Sequence, residues 1–98
     1  LTDFKGGMVE NYVNVQLTIN GYNTYYWKTE RGAEIDFIIQ REGKLIPIEV
    51  KSADNTRAKS LKIYMDKYKP DYAIKLSTKN FAFEDDKKIV PLYAAFCI

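Results

Sequence analysis

Two short runs, Ala33-Glu34-Ile35-Asp36-Phe37-Ile38-Ile39 and Ile46-Pro47-Ile48-Glu49-Val50-Lys51, set three carboxylates and a lysine inside strongly apolar sequence. Carboxylates brought close together repel each other, and burial makes an isolated charge more costly still. A divalent cation relieves both costs, because Mg²⁺ takes carboxylate and carbonyl oxygens while keeping several waters. An ammonium group nearby then orients or deprotonates a water. The same four residues also read as an ordinary Glu34–Lys51 cross-strand ion pair, with Asp36 and Glu49 turned to solvent on an edge hairpin.

Other chemistries are excluded by residue type. The chain has no histidine, which removes imidazole bases, Ser–His and Cys–His pairs and histidine metal ligands. A single cysteine, Cys97, supports neither a disulfide framework nor a thiolate zinc site. It lies in the apolar stretch Leu92 to Ile98 and reads as a small core residue. No GxxxxGK[ST] loop is present, so there is no P-loop nucleotide site. A hydrolytic site here has to be built from carboxylates, lysine and a hard cation.

The elements that must position these residues follow from periodicity. Met8, Val9, Tyr12, Val13, Gln16 and Leu17 fall on helical rows and predict a helix over Lys5 to Asn20, started by Gly6-Gly7 and stopped by Asn20-Gly21. Thr24 to Thr29, rich in aromatic and β-branched residues, predicts a strand, and Ala33 to Gln40 and Leu45 to Lys51 two more. A second helix falls within Ser52 to Lys69, with Ala58, Leu61, Met65 and Tyr68 on its apolar side, and Pro70 closes it. Asp71 to Ser77 predicts a fourth strand and Ile89 to Ile98 a last, irregular one.

A turn centred on Glu42-Gly43 sets Arg41 opposite Lys44, Asp36 opposite Glu49 and Glu34 opposite Lys51. Strict alternation then puts Glu34, Asp36, Glu49 and Lys51 on one face and Ile35, Phe37, Ile39, Ile46, Ile48 and Val50 on the other. A bulge would shift this pattern.

The 98 residues suffice for one domain with a modest core, and 46% apolar against 29% charged is a globular balance. No apolar run approaches the roughly 20 residues that span a bilayer, and no signal peptide is visible. A start at Leu1 reads as a fragment of a longer protein. Net charge is +2 but uneven: residues 51–80 hold eight basic and three acidic side chains, residues 1–50 five basic and seven acidic. A basic segment beside an acidic cluster suits a polyanion held near metal ions, and it equally describes a solvated, lysine-rich helix face. Arg57, Lys59 and Lys62 are the candidate phosphate contacts. Trp27, Tyr25 and Tyr26 read as core or interface, and the many tyrosines are compatible with a homo-oligomer.

Asp36 followed by Glu49-Val50-Lys51, within the order α-β-β-β-α-β, resembles the PD-(D/E)xK phosphodiesterase superfamily, the restriction-endonuclease-like fold. The resemblance implies an α/β (α+β) domain over residues 1–98, a mixed sheet flanked by helices. It implies Mg²⁺ or Mn²⁺ held by Asp36 and Glu49, Lys51 as the catalytic lysine, and Glu10 of the first helix as a further catalytic carboxylate. The segments Gly-Gly-Met-Val-Glu-Asn-Tyr-Val, Tyr-Tyr-Trp-Lys-Thr-Glu-Arg-Gly-Ala-Glu-Ile-Asp-Phe-Ile-Ile and Leu-Ile-Pro-Ile-Glu-Val-Lys-Ser look like a domain of unknown function at the C-terminus of prokaryotic AAA-family ATPases. That likeness implies an upstream ATPase and a cytoplasmic protein. Two functions follow: a Mg²⁺-dependent nuclease acting on DNA, or a catalytically silent nuclease-like fold that binds nucleic acid or protein for the ATPase.

Overall fold

The computed structural model describes residues 2–50, 56–77, 82–84 and 87–91. The chain runs α1 (Thr2–Ile19), β1 (Thr24–Lys28), β2 (Glu34–Arg41), β3 (Lys44–Val50), α2 (Thr56–Tyr68), β4 (Ala73–Ser77), β5 (Ala82–Glu84) and β6 (Lys87–Pro91). The strands form one six-stranded mixed sheet in the order β1-β2-β3-β4-β6-β5. β1, β2 and β3 make an antiparallel meander. β3, β4 and β6 run parallel, and β5 returns antiparallel along β6. The α+β class and the mixed sheet expected from the sequence are what the chain adopts.

Two apolar clusters show which face each helix covers. Val13 and Leu17 of α1 pack with Phe37, Ile39, Ile46, Ile48, Ile74 and Leu76. Leu61 and Tyr64 of α2 pack with Ile35, Ile38 and Ala73 on the opposite face. Neighbours such as Phe37 and Ile38, or Ala73 and Ile74, thus point to opposite sides, as the pleat requires.

α1 stops where Asn20-Gly21 predicts. Gly21 has φ +87°, its N–H donates to the Thr18 carbonyl at 3.0 Å, and the Tyr22 N–H donates to the Leu17 carbonyl at 3.0 Å. This is a Schellman cap. Tyr22 completes it by packing against the cluster that holds Leu17. The start differs from expectation: α1 begins at Thr2 and runs through Gly6-Gly7. Each interior glycine costs about 1 kcal/mol relative to alanine, a cost that the docking of Val13 and Leu17 offsets.

The β2–β3 turn has positive φ at both Glu42 (53°) and Gly43 (78°), the requirement of a type I′ hairpin. Pro47 is buried in β3, a central strand, where the missing N–H would ordinarily be a defect. Pairing with β4 begins only at Ile48, so at Pro47 the ladder runs to β2 alone.

At the end of the described chain, β6 begins two residues before the strand expected from Ile89, and an unexpected short strand, β5, precedes it. β5 and β6 form a hairpin, and β6 ends at Pro91. The expected strand beyond Pro91, with Cys97, lies outside the described residues.

Candidate functional site

The hairpin register holds from Arg41↔Lys44 to Phe37↔Ile48, and the ladder stops there. The face assignment changes at the same place. On the β1 side Tyr25 pairs with Ile38 and Trp27 with Ile35, so Tyr26 alone stands against both Asp36 and Phe37. That is a β-bulge, which adds a residue to one strand, bends it and re-aims its side chains. Ile35 consequently joins Ile38, Leu61 and Tyr64 on the α2 side rather than Phe37 and Ile39 on the α1 side. Strict alternation misplaces Ile35 and Glu34 for this reason. The Glu34 carboxylate accepts a hydrogen bond from the Tyr26 hydroxyl at 2.8 Å, and its backbone N–H donates to Ser60 Oγ at 3.1 Å.

Past the bulge the β2–β3 ladder ends, and a small cleft lies there, with a volume of ≈ 10 Å³ for water-sized occupants. Glu34, Ile35, Asp36 and Phe37 line it from β2, Ile48, Glu49 and Val50 from β3, and Leu61 from α2. Asp36 and Glu49 therefore face one space, though not as a ladder pair. Ile48 and Val50 both pack on the α1 side, so alternation aims Glu49 to the α2 side.

Glu49 is the most demanding residue of the cleft. It is 7% exposed, and among the described residues its carboxylate has no hydrogen-bond or ion-pair partner. No buried side-chain oxygen among the described residues lacks a hydrogen-bond partner, so the unpaired Glu49 carboxylate meets solvent at the cleft rather than being sealed from it. Asp36 is half-buried and has polar interactions of its own. Two carboxylate oxygen donors in one cleft are the donor type a hard cation takes. Among the described residues, no group of three acidic or cysteine side chains converges on a single point.

Glu10 is half-buried, one turn before Val13 on the core-facing side of α1. It lies on the other side of the sheet from Glu49 and is not among the described lining residues. Lys51 lies outside the described residues. Lys59 and Lys62 are exposed on α2, and Lys62 pairs with Asp66 at 3.6 Å. Trp27 is half-buried and meets Tyr64 edge-on at 5.2 Å, with Tyr68 at 6.2 Å, while Tyr25 and Tyr26 are exposed. Burial, and then the neighbouring Tyr68, push the Tyr64 phenol above its ordinary pKa. Tyr64 and Ser60 escaped the sequence analysis. Tyr64 follows Leu61 by three residues and precedes Tyr68 by four, so a full count along the helical rows finds it; Ser60 carries no such signal.

A second polar cluster lies at the opposite end of the sheet. Arg41 Nη2 and Nε donate to the Tyr22 hydroxyl at 2.8 and 3.0 Å, and Nη1 donates to the Tyr72 hydroxyl at 3.1 Å. Partial burial works against the Arg41 charge, but the bonds to Tyr22 and Tyr72 outweigh it and hold its pKa above the ordinary value. Lys44 pairs with Asp71, and the Lys88 ammonium lies 4.4 Å from the centre of the Tyr72 ring.

Fold and cleft together define a small α+β domain with a mixed sheet and an acidic cleft opened by a bulge. The chain belongs to the DUF4143 family, described as a domain of unknown function, whose model matches residues 5–95. No curated protein and no solved structure matches it significantly. No helix among the described residues is long and apolar enough to cross a membrane.

Proposed function

We propose that this domain is a Mg²⁺-dependent phosphodiesterase of the PD-(D/E)xK type acting on DNA, attached in the intact protein to an upstream AAA-type ATPase and working in the cytoplasm. The observation that carries the reading is Glu49: a largely buried residue whose carboxylate, unpaired among the described residues, opens to the same cleft as Asp36. Asp36 and Glu49 would hold Mg²⁺ or Mn²⁺. Bound there, the cation supplies Lewis-acid stabilisation of charge developing on a phosphate. The chain's own part is to present both carboxylates from diverging strands, with Ile35, Phe37, Ile48 and Leu61 excluding bulk water around them. In the motif resemblance, Lys51 orients the attacking water and neutralises the phosphate.

Calorimetric titration of Mg²⁺ and Mn²⁺ into the parent, Asp36→Ala and Glu49→Ala proteins tests the reading, followed by cleavage assays on branched and linear DNA. Binding by the parent alone is expected. Equal binding by all three, or none by the parent even with DNA present, overturns it.

A second reading, a catalytically silent module for the ATPase, draws on the exposed apolar side chains. Tyr12, Val15 and Ile19 form an outward stripe on α1, and Tyr25 and Tyr26 lie exposed on the edge strand β1. Such surfaces suit protein contact.

A further inference from the structure

The cleft has a basic flank that the (D/E)xK motif does not include. Lys75 of β4 is the register partner of Glu49. Ile74 and Leu76 both pack on the α1 side, so Lys75 shares the α2 side with Glu49. On the next strand Lys87 is the register partner of Ala73, itself part of the α2-side cluster. Cross-strand partners share a face, so Lys87 lies on the same side again. Both lysines are half-buried, and among the described residues neither has a hydrogen-bond or ion-pair partner. A half-buried lysine packs its stem and keeps its ammonium at the solvent, where it can meet an anion. Glu49 and Lys75 are neighbours on one face, yet they do not close an ion pair with each other.

The charges thus run in order across one side of the sheet: acidic at Asp36 and Glu49, basic at Lys75 on β4 and Lys87 on β6. On β5, Glu84 is the register partner of Lys87. We propose that Lys75 and Lys87 take successive phosphates of a nucleic-acid backbone that crosses the α2 side of the sheet over β6 and β4 and delivers a phosphodiester to the Asp36–Glu49 cleft. The proposal rests on the phosphodiesterase reading and adds the path of the substrate. A phosphate between Glu49 and Lys75 would face the cation site on one side and an ammonium on the other, an arrangement that neutralises a polyanion beside carboxylates.

The test is the salt dependence of binding of a fluorescent duplex DNA, with Mg²⁺ calorimetry in parallel. Each phosphate contact contributes about 0.9 to the slope of log K against log salt for duplex DNA. Lys75→Ala with Lys87→Ala should flatten that slope by about 1.8, leave Mg²⁺ binding unchanged and leave the circular dichroism spectrum intact. Lys44→Ala, at the far end of the sheet and paired with Asp71, should leave the slope as it is. An unchanged slope in the double variant overturns the substrate path while the metal reading stands. A parent that binds Mg²⁺ but no DNA has the same meaning. A parent that binds neither overturns the phosphodiesterase reading itself, and the path falls with it.

Discussion

Removing the Glu49 charge should make the protein more stable and abolish metal binding at once. An unsatisfied buried polar group costs about 1–3 kcal/mol, and more when charged. Glu49 is 7% exposed and has no partner among the described residues, but its carboxylate oxygens keep contact with solvent in the cleft, so without metal it bears only part of that cost. Glu49→Leu puts an apolar side chain of similar size into a strand whose neighbours Pro47 and Ile48 are fully buried, and should gain up to about 1 kcal/mol. For a domain of this size each kcal/mol moves Tm by about 4–8 °C. Glu49→Gln, which retains the shape without the charge, should gain less. The assay is thermal unfolding by circular dichroism in EDTA and again in Mg²⁺. In EDTA, Glu49→Leu should melt above the parent. In Mg²⁺ at about a hundred times Kd, the parent should gain about 2.7 kcal/mol and the variant nothing, so the gap reverses. A Glu49→Leu protein that melts below the parent in EDTA would refute the reasoning, because the carboxylate would then be making a favourable contact within the protein.

Three further outcomes test the fold. Glu42→Asn should raise stability by about 0.5–1 kcal/mol in urea unfolding, because Glu42 sits at φ 53° in a type I′ turn where asparagine is far better tolerated. Gly21→Ala should lower it by about 1–2 kcal/mol, since φ +87° at the Schellman cap penalises any Cβ. Tyr64→Phe should flatten the alkaline loss of stability. The raised pKa of Tyr64 means its contribution is full below the ordinary phenol value and is lost as pH rises through the folded value. Urea titrations above about pH 10 should therefore fall more steeply for the parent than for the variant.

What the sequence makes legible is whatever local chemistry determines. The Glu42-Gly43 turn fixes the register from Arg41↔Lys44 onward, and Asn20-Gly21 fixes the helix end, because each depends on residues adjacent in the chain. The bulge depends on β1: Tyr26 must pass two residues of β2 for Trp27 to reach Ile35, and nothing in Ala33 to Gln40 announces it. Asp36 and Glu49 are therefore identifiable as neighbours, but the gap between them and the turning of Glu34 to Tyr26 are not. β5, only three residues long, gives too short a pattern to register as alternation.

The Arg41 cluster has a mechanical consequence. Through one guanidinium, the end of β2 is tied both to Tyr22, just after α1, and to Tyr72, just before β4, while Lys44 at the start of β3 is tied to Asp71. Four segments are fastened at the end of the sheet remote from Asp36 and Glu49, where β2 and β3 part. Amide protons of Arg41 and Ile46 should exchange far more slowly than those of Ile35 and Val50. The domain is built like a clothes-peg, braced at the arginine, whose jaws at the carboxylates are held apart by β1 on one side and β4 on the other rather than by a β2–β3 ladder.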